Sequence, residues 1–142
     1  MQGFRKYDLG FMNESGAKII RSFTDLNVWQ EGHTLVITIY KETRKFPREE
    51  LYSLTDQLRR AAVSVTSNIA EGFGRQGYRE KIQFYYVAQG SLIEVKNQLL
   101  IARDIGYLDR KIFNSLALQA NTVHRLLQGL ITKSKSFLNH NS

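Results

Sequence analysis

Apolar residues recur at steps of three and four along most of the chain, the spacing that places them on one face of an α-helix. The first such stretch covers residues 26–44. Its segment 35–40 is rich in β-branched residues and would suit a strand. The wider pattern favours a helix, and Asn27 or Asp25 is expected to cap its start. Phe46-Pro47 is expected to end this helix, because the residue before a proline resists the helical conformation.

The remaining apolar stripes predict three more helices. One runs from the low 50s to the low 70s, where the glycines within 72–77 stop it. The next starts near Tyr78 and continues to about Ile105, and Gly106 ends it. Asp109 is expected to cap the last helix. Four amphipathic helices with short connections place sequential neighbours antiparallel, so we predict an all-α fold, an up-down-up-down antiparallel four-helix bundle.

The bundle is expected to occupy residues 25–136 of the 142-residue chain, a length that suits one domain. Residues 1–24 precede it as an N-terminal arm. We predict a mostly irregular arm, because glycines interrupt it and its apolar residues lack a sustained period. Residues 137–142 are expected to form a C-terminal tail with frayed last residues.

The third predicted helix carries more apolar residues than one stripe accounts for. The residues that widen its apolar face are Phe84, Tyr86, Ala88, Ile93 and Leu100. A face this wide belongs to a central helix or to one that also contacts another subunit.

The charge of the chain is strongly positive. Lys and Arg total 20 against 13 Asp and Glu, which gives a formal net charge of +7. The basic residues are densest at Lys41, Arg44, Lys45 and Arg48, and again at Arg75, Arg79 and Lys81. This charge is compatible with binding to nucleic acid or to another anionic surface, and equally with ordinary solvated helix faces.

Several classes of protein are excluded or disfavoured. The chain has no cysteine, so it has no disulfide, thiol nucleophile or Cys-ligated metal. No apolar run approaches the roughly 20 residues that a membrane span needs. The N-terminal residues lack the apolar stretch of a secretory signal. We therefore expect no membrane partner and a cytoplasmic location.

Catalytic chemistry has little support in the sequence. His33, His124 and His140 lie on three different segments, without the spacing of metal ligands. Residues 72–77 match G-x-G-x-x-G, but the dinucleotide fingerprint needs a strand before it, and here a helix precedes it. These glycines are better explained as a helix end and a turn. We expect no enzyme activity, no metal and no cofactor.

A polar seam is predicted on the second helix. Gln57, Arg60, Ser64, Asn68 and Glu71 fall on one helical face beside the apolar stripe. They form either a solvated face or a partly buried seam that fixes the helix register. Antiparallel pairing brings Glu94 of the third helix within a turn of Arg60, so we expect an Arg60–Glu94 ion pair.

Several motifs together resemble one known family, over a region from about Phe23 to about Lys133. They are Asp25-Leu26-x-Val28-Trp29-Gln30, Phe46-Pro47, Gln57-Leu58-Arg59-Arg60-Ala61-Ala62, Ser64-Val65, Asn68-Ile69-Ala70-Glu71-Gly72-Phe73-Gly74-Arg75, Ala88-x-Gly90-Ser91-Leu92-x-Glu94 and Ile101-Ala102-Arg103-x-x-Gly106-Tyr107-Leu108. The chain resembles the four-helix bundle proteins first associated with intervening sequences in ribosomal RNA genes. That family includes the accessory variability determinant of diversity-generating retroelements.

The resemblance implies a homo-oligomer, typically a five-fold ring, and for the retroelement relative a partnership with a reverse transcriptase and its template RNA. Five copies of a +7 chain would carry +35, which would concentrate phosphate attraction. We therefore expect a non-catalytic oligomeric scaffold that binds nucleic acid, with RNA favoured. The candidate phosphate contacts are Arg59, Arg75, Arg79, Lys81, Arg103 and Arg110. The alternative is a protein-interaction module whose basic surface recognises an acidic protein.

Overall fold

The computed structural model describes residues 19–141, and their side chains through residue 140. Four helices make up most of this part of the chain. They are α1 (Asn27–Thr43), α2 (Leu54–Gly74), α3 (Tyr78–Ile105) and α4 (Arg110–Asn141). Two short 3₁₀ turns, Phe23–Asp25 and Arg48–Glu50, precede α1 and α2. No strand occurs within the described range, so the prediction of an all-α four-helix fold is confirmed.

Sequential helices run antiparallel, because residue numbers in the contacting pairs rise along one helix as they fall along the other. The pairs are Thr43 with Arg59 and Gly32 with Thr66, then Ser64 with Ser91 and Gly72 with Tyr85, then Gln89 with Gln128 and Lys96 with His124. Helix α1 also packs on α4 and closes the bundle. Among the described residues α1 and α3 do not meet, so they stand diagonally opposite.

The core consists of the apolar stripes that the sequence predicts. Leu35 and Ile39 of α1 face the interior, and Tyr85 of α3 is only 2% exposed. Other fully buried residues are Leu58, Val65, Ile69, Leu92, Val95, Leu99, Leu116, Leu127 and Ile131. Burial raises the pKa of the Tyr85 hydroxyl to about 12. These interlocking stripes hold the four helices in a fixed register.

The start of α1 differs from the prediction. Leu26 occupies the N-cap position, and no side chain caps the helix there. The carboxylate of Asp25 instead accepts hydrogen bonds from the backbone N–H groups of Arg21 and Ser22, at 2.9 and 3.1 Å. Asp25 is the third residue of the 3₁₀ turn and completes a capping box with its N-cap residue, Ser22, and Asn27 is already helical. The expectation that Asn27 or Asp25 caps α1 is therefore wrong, because the 3₁₀ turn uses the carboxylate first.

The two ends of the last connection follow the prediction. Gly106 adopts a left-handed conformation, with φ of +97°, and terminates α3. Such a backbone angle favours glycine. The Asp109 carboxylate accepts a hydrogen bond of 2.8 Å from the backbone N–H of Ile112. Asp109 therefore caps α4 as predicted.

The predicted C-terminal tail is wrong as far as Asn141. Helix α4 continues to that residue without a break at 137. The Phe137 ring packs on Tyr78 at the start of α3, with ring centroids 5.2 Å apart. Ser134 is buried one turn earlier. The Phe137 contact extends the bundle to the first residue of the predicted tail. Residues 1–18 of the predicted arm lie outside the described residues.

Candidate nucleic-acid interface

The six predicted phosphate contacts divide between the two ends of the bundle. Arg75, Arg79 and Lys81 lie where α2 ends and α3 begins, and Arg59, Arg103 and Arg110 lie near the opposite end. A single chain therefore does not bring the six together into one site. Their local contacts decide which of them are available to a ligand.

Two cations at the α2–α3 end are engaged within the chain. The ammonium of Lys81 donates to the backbone carbonyls of Phe73 and Gly72, at 2.6 and 3.4 Å, and so satisfies the C-terminus of α2. Burial lowers the pKa of Lys81. The Arg75 guanidinium pairs with Glu71 at 3.4 Å and lies over the Phe84 ring. Lys81 holds the turn, and Arg75 is partly neutralised.

Two cations at the other end are also engaged. Arg59 of α2 donates through Nε to the Thr43 hydroxyl of α1 at 2.9 Å. Arg103 pairs with Asp104 at 2.8 Å, and its guanidinium lies over the Phe113 ring. The hydrogen bond from Arg103 lowers the pKa of Asp104. Arg59 joins two helices, and the charge of Arg103 is offset by its neighbour.

The side chains of Arg79 and Arg110 remain exposed, without a hydrogen bond or ion pair to another described residue. Arg110 and Arg103 line one open depression of about 580 Å³ at the turn between α3 and α4. Arg79 and Arg110 therefore keep the full charge that a phosphate contact needs, whereas Arg103 is paired with Asp104.

The predicted set did not include the exposed arginines at the connection between α1 and α2. Arg44 follows the end of α1, and Arg48 begins the 3₁₀ turn before α2. The side chain of neither forms a hydrogen bond or ion pair within the described range. Their signal in the sequence is the dense basic cluster of residues 41–48, which the prediction noted without selecting its members.

The predicted polar seam forms only at its centre. The Ser64 and Ser91 hydroxyls lie 2.7 Å apart between α2 and α3. The Asn68 amide donates to the Ser64 carbonyl and hydroxyl oxygens, at 2.8 and 3.1 Å. Gln57 and Glu71, towards the two ends, are exposed. The seam therefore links the two helices through the Ser64–Ser91 hydrogen bond and is solvated towards its ends.

The expected Arg60–Glu94 ion pair is wrong. Arg60 donates through Nε to Asp56 on its own helix, at 3.0 Å, and its side chain is 80% exposed. Arg60 and Glu94 both line an open groove of about 380 Å³ between α2 and α3. The small residues Ala61 and Ser64 leave this groove unfilled. The partner one turn away on α2 is therefore the nearer one.

Six large apolar side chains remain exposed on the outer side of α3. These residues, which we call the α3 apolar face, are Tyr86, Val87, Ile93, Leu100, Ile101 and Ile105. They are between 39% and 55% exposed, and they recur at steps that place them on one side of the helix. The extra apolar residues that widen this helix in the sequence thus include several that face outward.

Nothing in the described range groups three or more His, Cys, Asp or Glu side chains as a metal site would need. None of the described helices is both long enough and apolar enough to span a membrane.

The molecule is a helical bundle defined by its exposed apolar face and basic ends. The family model of the 23S rRNA-intervening sequence protein matches residues 24–129. The chain belongs to this family.

A solved structure has the same fold. It is a crystal structure at 1.70 Å of a protein of unknown function from the S23 ribosomal protein family of Bacteroides thetaiotaomicron. The two chains are 20% identical, with a TM-score of 0.66 over 73% of this chain and 97% of the other. At this identity the likeness extends to the fold alone. A comparison with curated proteins finds no match.

Proposed function

We propose that this protein is a non-catalytic scaffold that assembles with copies of itself and binds nucleic acid, RNA in preference, through the basic ends of the bundle. The observation that carries the proposal is the α3 apolar face. Several large apolar residues exposed on one side of a helix mark an interaction surface, because isolated soluble domains rarely leave a large apolar patch in water.

A second copy of the chain is the partner that best fits this face. The family resemblance implies a homo-oligomer, typically a five-fold ring. Helix α3 lies diagonally across from α1, so burial of its outer face leaves the α1–α2 connection open. Assembly also brings the basic ends of several chains together, and five copies would carry +35.

The charge supports nucleic acid as the ligand. Arg44, Arg48, Arg79 and Arg110 are exposed and have no ion-pair partner in the described part of the chain. Phosphate attraction needs such unpaired cations. The description of the family names an intervening sequence of 23S rRNA, so structured RNA is the first nucleic acid to test. A role as accessory to a reverse transcriptase in the cytoplasm is the most specific form of the proposal.

One observation favours a second candidate, a module that binds an acidic protein. Lys81 and Arg59 are held by hydrogen bonds inside the molecule, and Arg75 and Arg103 have acidic partners. The available charge is therefore smaller than the sequence suggests. A basic surface of moderate density with an apolar face beside it also suits protein recognition.

Titration of labelled structured RNA by fluorescence anisotropy, at several salt concentrations, separates the two. For an RNA-binding scaffold we expect the logarithm of the binding constant to fall linearly with the logarithm of the salt concentration, by roughly 0.7 to 0.9 per phosphate contact. Light scattering on the same sample gives the oligomeric mass. Absence of binding at low salt would overturn the RNA proposal and favour the acidic protein partner.

A further inference from the structure

A small pocket lies at the connection between α1 and α2. It has a volume of about 220 Å³, and Arg44, Arg48 and Arg59 line it together with Phe46 and Pro47. No acidic residue lines it. Three arginines that line one concave site, without an acidic residue among the lining, give that site a positive potential.

Arg59 is held in place at the wall of this pocket. Its Nε donates to the Thr43 hydroxyl at 2.9 Å, and that hydroxyl donates to the Ile39 carbonyl at 2.7 Å. Its guanidinium also lies 4.7 Å from the centroid of the Tyr40 ring. Its Nη2 also donates to the Tyr40 carbonyl at 3.5 Å. These partners of Arg59 are all on α1, so its guanidinium has a fixed position. Most of its N–H donors remain available, since guanidinium has five.

Arg44 and Arg48 are exposed and unpaired within the described residues. The nearby carboxylates that have partners are directed elsewhere. Glu42 pairs with Lys45 at 3.3 Å, Glu50 accepts from the Tyr107 hydroxyl at 2.7 Å, and Asp56 pairs with Arg60 at 3.0 Å. Glu49 is exposed and does not line the pocket. The three arginines therefore keep their charge for a ligand.

We propose that this pocket binds one phosphate group of a nucleotide chain. The planar fork of arginine matches the oxygen atoms of phosphate and can make two parallel hydrogen bonds to them. A guanidinium fixed before binding loses less side-chain entropy when it meets the ligand. The inference rests on the proposed function for its ligand, and it adds a defined phosphate site that the six predicted cations did not form.

The matched experiment compares two double variants that lose the same charge. The pocket variant is Arg44→Gln with Arg48→Gln, which leaves Arg59 and its link between helices intact. The control is Lys41→Gln with Arg125→Gln, two exposed residues that do not line the pocket. Circular dichroism confirms that both retain the helical fold.

In anisotropy titrations we expect the pocket variant to bind structured RNA about tenfold or more weakly, because charge-assisted hydrogen bonds to phosphate are lost. Its salt slope should decrease by roughly 0.7 to 0.9, the contribution of one phosphate. The control should lose no more than about threefold, as expected for a screened surface charge. Equal losses in the two variants would overturn the pocket, while the proposed RNA binding would stand.

Two further measurements identify the source of the phosphate. They also distinguish a failure of the proposed RNA binding from a failure of the phosphate pocket. RNA with a 5′-phosphate, compared with the same RNA bearing a 5′-hydroxyl, distinguishes a terminal group from an internal phosphodiester. If the wild-type chain binds no RNA, the proposed function fails, and inorganic phosphate alone decides the pocket. A melting temperature raised by phosphate over chloride at equal ionic strength, and lost only in the pocket variant, would support a phosphate site. No rise would overturn it.

Discussion

Lys96 and His124 form a polar contact between α3 and α4, close to the core. The Lys96 Nζ lies 3.0 Å from His124 Nδ1. An ammonium group can only donate, so Nδ1 must accept and therefore carries no proton. Burial, and then the charge of Lys96, lower the pKa of His124 below its ordinary value of 6.5. Burial also lowers the pKa of Lys96.

The lowered pKa of His124 makes the stability depend on pH. Between the folded and the unfolded pKa of this group, the unfolded chain binds more protons, so the free energy of unfolding decreases as the pH falls below about 6.5. His33, whose pKa burial also lowers, acts in the same direction. We expect His124→Gln to lose less stability than the wild type between pH 7 and pH 5, as urea denaturation would measure.

The matched control for this prediction is His140→Gln, since His140 is exposed near the end of α4. This variant should follow the pH dependence of the wild type, and all three chains retain His33. If His124→Gln loses as much stability as the control, the Lys96–His124 contact does not account for the pH dependence.

At the scale of the elements, Gly72 sets the approach of α2 to α3. A Cβ atom at this position would lie 2.6 Å from Tyr85 Cε1 and 3.0 Å from Phe84 Cβ. Tyr85 is buried and cannot move aside easily. We expect Gly72→Ala to lower the free energy of unfolding by about 1–3 kcal/mol, the usual cost of overpacking a core. Thermal or urea denaturation measures this change.

Gly74 provides the control for the same substitution. A Cβ at Gly74 would meet nothing within 4 Å, so Gly74→Ala should be neutral or slightly stabilising. A Gly72→Ala chain as stable as the Gly74→Ala chain would contradict the close packing of α2 on α3.

The elements could be predicted because each leaves a strong local signal. The apolar period, Pro47, Gly106 and the Asp109 cap place the four helices close to their observed bounds. The cap of α1 could not be predicted, because two successive starts compete for one carboxylate, that of Asp25. The continuation of α4 depends on a contact between Phe137 and Tyr78, 59 positions apart in the chain, and no local pattern encodes it.

The candidate site was less predictable than the fold for a physical reason. A sequence shows which residues are cationic but not which neighbouring groups pair with them in the fold. Arg60 turns to Asp56 on its own helix, and Lys81 turns to the carbonyls that end α2. Arg44 and Arg48 stay exposed and belong to a pocket that forms only when α1, the 3₁₀ turn and α2 converge. The cluster of basic residues at 41–48 was the signal in the sequence that pointed to this pocket.

At the scale of the whole molecule, assembly and charge reinforce each other in the proposed function. A single bundle carries its six predicted phosphate contacts at two distant ends, and most of them are engaged internally. Repetition of the basic ends around an oligomer would present several phosphate contacts to one RNA. Binding would then depend on the α3 apolar face, even though that face touches no phosphate.

The substitution Ile93→Glu tests this dependence directly. Ile93 is 55% exposed near the middle of the α3 apolar face, so a charge there should disrupt an interface without disturbing the core. We expect the mass by light scattering to fall to that of one chain, and the salt slope of RNA binding to shrink with the number of linked basic ends.

The control Leu118→Glu alters an apolar residue of α4 that is 70% exposed and lies outside this face, and it should keep the oligomeric mass. Equal masses for the two variants would exclude α3 as the assembly surface. A monomeric Ile93→Glu chain with unchanged RNA affinity would separate binding from assembly and assign it to single bundles.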